Sequence, residues 1–197
     1  MHMRFKVGFL GVLIAIGQLS FAQNVDSLKL QLQTAQTNNG RFKALMALSS
    51  EWMYQNPDSA KPYFEAAQRL AQKMNNEKAL VEVANQRGNY LQRSSKNEEA
   101  LQVYKKAIKR SLAINYDTGL AKLHNNVGLI YIQQAQYDLA LKEFVSSTEY
   151  EEKTGNLTCR AQGLNNIGVV LYYQGEIEKS LECFKQSVAT HEQRKDA

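Results

Sequence analysis

Three asparagines, Asn85, Asn125 and Asn165, stand forty residues apart. An amide side chain donates through its NH2 and accepts through its carbonyl oxygen, so it can meet a peptide C=O and N–H together. A ladder of such amides suits an extended peptide backbone, whatever its side chains. Other chemistry is poorly supplied. His2 lies in the leader, His124 falls on an apolar helix face and reads as a packed side chain, and His191 stands near the end of the sequence. There is no Ser/His/Asp order, no glycine-rich phosphate loop and no His/Cys cluster at metal-ligand spacing. The residues therefore predict no enzyme, no metal and no cofactor. The formal charge is only +5, and its densest basic run, KKAIKR (105–110), reads as a solvated helix face. Nucleic acid is not an expected partner.

The elements that carry the ladder follow from a forty-residue repeat. Gly88, Gly128 and Gly168 recur in NQRGNYL, NNVGLIY and NNIGVVL. Twelve residues after each glycine stands Ala100, Ala140 or Ser180. An aromatic follows four later (Tyr104, Phe144, Phe184), then Ala107, Ser147 or Ser187 three beyond that. Apolar residues at helical spacing give each unit two helices, A and B. In the third unit His124, Val127, Gly128, Tyr131 and Ala135 are expected along one face of helix A. Tyr137, Ala140, Leu141, Phe144 and Ser147 are expected along one face of helix B. Short polar joints such as SKNEE and QGEIE make the helices antiparallel neighbours. The glycine costs a helix about 1 kcal/mol relative to alanine. Its expected use is a close approach of two backbones, with the aromatic packed over the contact.

A fourth copy lies upstream. Ala60, Phe64 and Ala67 match Ala100, Tyr104 and Ala107, with Ser49 in the glycine slot and Trp52 in the next apolar slot. Its joint is one residue short, with Asn56 expected as N-cap and Pro57 at the first helical position. The segment 24–42 reads as a leading helix with a stripe of Val25, Leu28, Leu32 and Ala35. The fold class expected is all-α, a right-handed superhelical solenoid of antiparallel helix pairs. The expected divisions are a signal peptide at 1–22, a leading helix at 23–40, and repeats at 41–80, 81–120, 121–160 and 161–197.

The signal is read from Arg4 and Lys6, the apolar run VGFLGVLIAIG (7–17) and the small residues of SFA (20–22). The apolar run is short against the ~20 residues that span a bilayer. Cleavage after Ala22 would leave an exported chain, periplasmic or extracellular. Such a compartment permits a disulfide. Cys159 and Cys183 fall on neighbouring antiparallel helices at unmatched heights, so two small buried side chains are expected instead. NLT (156–158) matches a glycosylation sequon, a short motif that chance supplies.

The face of helix A away from the core should line a concave groove in such a stack. It carries Glu82, Asn85, Asn89, Gln92 and Arg93 in the second unit. In the third it carries Lys122, Asn125, Leu129, Ile132 and Gln133. In the fourth it carries Gln162, Asn165, Val169, Tyr172 and Tyr173. Asn126 and Asn166 stand at the groove edge, and Tyr172 with Tyr173 could anchor a ligand at its end.

The glycine, small-residue and aromatic register over about residues 41–190 resembles tetratricopeptide repeats. Its forty-residue period is similar to the longer-helix class of kinesin light chains and peptide-sensing bacterial regulators. HEAT and armadillo units share the period but not the register. Arg87, His124 and Leu171 depart from residues usual in the family. The resemblance implies a protein or peptide partner held in the groove. Peptide-binding members use an asparagine of helix A at the position matched here by Asn126 and Asn166. The N-terminal half also resembles exported repeat regions of Bacteroidetes proteins. Those often form the sensory half ahead of a membrane helix and a kinase or DNA-binding output. Three readings follow: an exported peptide-binding module, the sensory fragment of a signalling protein whose missing C-terminal part meets the membrane, and a structural scaffold in an envelope assembly. The flank of the last helix pair should be sticky, which predicts a homodimer or a downstream segment.

Overall fold

A computed structural model of the chain describes residues 21–155 and 157–195, with the side chains of 157–159 and 194–195 excepted. Residues 1–20 of the signal peptide read at 1–22, and Asn156 of the sequon read at 156–158, lie outside the described residues. Among the described residues the regular structure is helical: α1 (21–34), α2 (Asn38–Gln55), α3 (Pro57–Lys73), α4 (Glu77–Arg93), α5 (Asn97–Ala113), α6 (Asp117–Gln133), α7 (Tyr137–Thr154), α8 (Leu157–Tyr173) and α9 (Ile177–Lys195). No described helix is long and apolar enough to cross a membrane. The chain divides after Asn75 into two compact units.

In the first unit α2 packs on α3. Ser49, Ala60, Phe64 and Ala67 are all buried, as the fourth copy of the repeat requires. Asn56 alone joins the helices and caps α3, its side-chain oxygen accepting from the N–H groups of Asp58 and Ser59, with Pro57 at the first helical position. The leading helix is shorter than the expected 24–42. It stops at 34, and α2 restarts at Asn38. Thr37 explains the break. Its hydroxyl accepts from Gly40 N–H at 3.0 Å, and that N-cap suits Asn-Asn-Gly better than a helix interior does. Val25 of the expected stripe is buried, Leu28, Leu32 and Ala35 are half-buried, and Leu30 is exposed.

In the second unit α4 pairs with α5, α6 with α7 and α8 with α9. The pairs stack through α5 on α6 and α7 on α8, and α4 also touches α6. The glycine slot does what its spacing predicts. A Cβ placed on Gly128 would stand 2.8 Å from Cε1 of Phe144, and one on Gly168 would stand 2.7 Å from Cε1 of Phe184. On Gly88 it would collide with the Tyr104 ring. Each aromatic therefore covers the bare backbone of its own helix A. Where the small helix-B residue is serine, its hydroxyl donates to the facing carbonyl: Ser147 Oγ to Ala121 at 2.9 Å, Ser187 Oγ to Ala161 at 2.7 Å.

The turns repeat every twenty residues. Asn75, Ser95, Asn115, Ala135, Gly155 and Gly175 all have positive φ. After helix A the chain closes with the same bond each time: Lys96 N–H to Leu91 C=O, Gln136 to Tyr131, Glu176 to Leu171. This six-to-one bond needs a left-handed residue just before it. Ala135 is that residue, at φ +56°, and it is exposed. The expectation that it extends the buried face of helix A is thus corrected, because the turn takes it out of the helix.

Between α7 and α8 lies a buried carboxyl, Glu151, whose Oε2 has no hydrogen-bond partner. Burial pushes its pKa up to about 7, against a smaller opposing pull from the Ser147 hydroxyl 3.4 Å from Oε1. The ordinary value is near 4.5. The folded state thus holds a proton that the unfolded state releases, and this contribution to stability is full below pH 4.5 and lost as pH rises through 7. Glu151→Gln should flatten that fall and raise stability at pH 8 by about 1–2 kcal/mol. Urea melts of both proteins at pH 5 and pH 8 check it, and an unchanged slope in the variant contradicts it.

Candidate functional site

The groove-side residues of the second unit come from α4, α6 and α8, the A helices. Direct contact of α4 with α6 lets amides of successive repeats meet. Asn126 Nδ2 donates to Asn85 Oδ1 at 2.8 Å and to Asn89 Oδ1 at 3.0 Å. Asn166 Nδ2 donates to Asn125 Oδ1 at 2.8 Å, so the same step recurs one repeat on. The Tyr104 hydroxyl donates to Asn89 Oδ1 at 2.7 Å and ties the rung to the core. All five asparagines are half-buried.

These bonds orient the ladder and leave capacity on it. Asn85, Asn89 and Asn125 are engaged through their oxygens, so each keeps an NH2 that can donate outward. Asn126 and Asn166 are engaged through nitrogen, so each keeps a carbonyl oxygen that can accept. The result is three NH2 groups and two carbonyl oxygens with capacity to spare across α4, α6 and α8, held in place without a ligand. Fixing side chains in advance lowers the entropy lost on binding.

The remaining expected residues divide. Lys122 and Asn165 are exposed on the same helices. Gln133 is exposed and turns to the edge, its Oε1 accepting from Asn97 Nδ2 at 3.5 Å. Tyr172 and Tyr173 are exposed and meet edge to face at 6.0 Å. Tyr173 also stacks on Tyr137 of α7 with centroids 5.3 Å apart, which draws it to the turn edge. Beside that stack lies an open depression of about 580 Å³ bounded by residues 135–139 and Gln174. Glu82 accepts from the Tyr116 hydroxyl at 2.8 Å, and burial followed by that carboxylate raises the phenol's pKa.

Several contacts were not foreseen from the residues. His124 is packed as expected, yet its Nδ1 stands 2.6 Å from Glu143 Oε2 and its ring stacks on Tyr150. Gln134 Nε2 donates to Glu98 at 3.3 Å, and Gln174 Nε2 to Asp138 at 2.7 Å, forming a second ladder along the turns. Its signal was available, because each of these pairs recurs at the forty-residue period. Cys183 is half-buried, with its thiol pKa raised by burial and then by Glu182. The Cys159 side chain is outside the described residues. No group of three or more His, Cys, Asp or Glu that could hold a metal ion occurs among the described residues.

Comparison with known proteins agrees with the repeat. Residues 119–193 match the tetratricopeptide repeat family model. No curated protein matches the chain. Among solved structures, the chain resembles a Rap protein complexed with Competence and Sporulation Factor, at TM-score 0.77 and 15% identity over 90% of this chain and 51% of that one. It resembles aspartyl phosphate phosphatase F from Bacillus subtilis at TM-score 0.75 and 16% identity, over 90% of this chain and 50% of that one. It also resembles BtubC from P. vanneervenii at TM-score 0.67 and 16% identity, over 100% and 85%. The chain thus spans about half the length of the Rap protein and of the phosphatase. At these identities the likeness is one of fold: an all-α, tetratricopeptide-like array of helix pairs.

Proposed function

We propose that this chain, a tetratricopeptide-like array, is a non-catalytic module that binds an extended protein or peptide segment across α4, α6 and α8. The amide ladder carries the reading. Asn126 and Asn166 hold Asn85, Asn89 and Asn125 in place and leave donors and acceptors for a peptide backbone. The Rap protein it resembles was solved complexed with a factor, which agrees with a fold that can hold such a partner. The leader of Arg4, Lys6 and the apolar run 7–17 supports export, with a mature N-terminus at Gln23.

The test is selection from a randomised peptide library displayed on phage, with the purified second-unit face presented in the whole mature chain. Enrichment of peptides that bind one to one and compete with one another supports the module. A library that yields none, while the protein is folded by circular dichroism, overturns it and leaves the scaffold reading. Protein recovered from outside the cytoplasm should begin at Gln23. Recovery with Met1 intact overturns the export.

A further inference from the structure

Glu151 sets a carboxyl into the joint between two helix pairs. It is 6% exposed, and its Oε2 meets no hydrogen-bond partner. On α3 and α5 the same register position holds Ala71 and Ser111, both fully buried and neither able to ionise. Across the joint from the carboxyl stands Gly163 of α8. A Cβ there would lie 3.1 Å from Glu151 Oε2 and would collide with the Thr148 methyl group. The backbone of α8 is thus laid directly against the carboxyl. The charged groups that α6 and α8 bring to α7 are committed elsewhere, exposed or of the wrong sign. On α6, Asp117 is half-buried and of like charge, Lys122 is exposed, and His124 Nδ1 stands 2.6 Å from Glu143 Oε2. On α8, Arg160 pairs with Glu152 at 3.6 Å. On α7 itself, Lys153 lies over the Tyr150 ring. The Ser147 hydroxyl, 3.4 Å from Oε1, also donates to the Ala121 carbonyl.

We propose that Glu151 is a pH-sensitive latch: neutral, it lets α8 dock on α7, and ionised, it loosens that joint together with the amide rung that α8 carries. A buried carboxylate must find a partner or water. Oε2 has no partner here, and parting α7 from α8 admits water to it. The rung is at stake because Asn166 of α8 reaches Asn125 Oδ1 of α6 at 2.8 Å, while both helices pack on α7. The sign follows from burial. The docked state holds its proton up to a pKa of about 7, and the parted state, open to water, releases it near 4.5. Docking is therefore strongest below pH 4.5 and weakens as pH rises through 7. Between pH 6 and pH 8 the ratio of parted to docked forms should rise about tenfold. For its consequence the latch rests on the peptide-binding reading. A peptide lying across α4, α6 and α8 should bind more weakly at pH 8, and its binding should take up protons.

The test is hydrogen exchange read by mass spectrometry on the whole chain from Gln23 onward, at pH 6 and pH 8, with rates corrected for intrinsic exchange. No peptide is present, so failure of the latch is distinct from failure of the binding reading. Backbone amides of α8 should open about tenfold more often at pH 8 than at pH 6, and at pH 8 more often than those of α4. Glu151→Gln should remove the pH dependence, and so should Glu151→Ser, which copies Ser111. Circular dichroism verifies that the variants stay folded. Opening of α8 that is equal at the two pH values, or that rises equally in the variants, overturns the latch. So does one opening constant shared by α4 and α8, because the event is then global unfolding. A peptide selected on the groove should bind the wild-type chain more weakly at pH 8 and the Glu151→Gln chain equally at both. Equal affinity in the wild-type chain overturns the coupling of the latch to the ladder.

Discussion

Gly128→Leu is expected to lower the unfolding free energy by about 2–3 kcal/mol, although leucine is the better helix former by roughly 0.8 kcal/mol. The reason is space. A Cβ alone at this position would stand 2.8 Å from Phe144 Cε1 and 2.9 Å from its Cζ, closer than carbon atoms pack, and leucine adds three more carbons. Phe144 cannot swing away, because it is fully buried among α6, α7 and α8. A shorter side chain should relieve the clash. Phe144→Leu removes the Cε1 and Cζ atoms, so Gly128→Ala combined with Phe144→Leu should cost less than the sum of the two single changes. Urea melts of the two single variants and the double variant measure this coupling. A neutral or stabilising Gly128→Leu would remove the explanation of the forty-residue glycine.

Phe144→Ala should cost about 3–5 kcal/mol, the ordinary range for emptying a fully buried aromatic site. The same change at Phe184, its register mate, should cost about 2 kcal/mol or less. Both rings cover a glycine in the same way. They differ in what lies beyond: Phe144 is sealed by α8, with Val170 in its cluster, whereas Phe184 is only half-buried. In an array where each pair contacts only its neighbours, stability is a sum of repeat and interface contributions. Equal losses at the two sites, read by urea melts, would mean that the α8–α9 flank is covered in solution.

The repeat was legible because it rests on residue size at fixed spacing. Gly88, Gly128 and Gly168 can only be explained by an approach to Tyr104, Phe144 and Phe184, and the structure has each pair. Asn56 and Pro57 were legible for a similar reason, since a cap and a helix-starting proline have fixed places. The helix ends were less so. Ala135 carries no mark of a left-handed turn, unlike Asn115 or Gly155, because the turn's hydrogen bond, not the residue type, imposes its φ. Thr37 is one hydroxyl among many polar residues, and only its bond to Gly40 shows that the leading helix ends before it. In the candidate site the asparagine register was visible, but its bonding was not. Asn126 reaches Asn85 across 41 residues, one more than the period, and that offset depends on how α4 and α6 pack. Glu151 was missed because a carboxylate in a charged run normally faces solvent.

The most direct measurement takes the library-selected peptide and titrates it, by fluorescence anisotropy at fixed salt, against the chain from Gln23 onward and against its Asn125→Ala/Asn165→Ala variant. Asn125 lies in the ladder and Asn165 is exposed on the next helix, so the variant should fold. Two to four backbone hydrogen bonds at about 1 kcal/mol each would be lost. Affinity should therefore fall by about thirtyfold or more. Equal affinity for both proteins would contradict the amide ladder as the peptide-reading element.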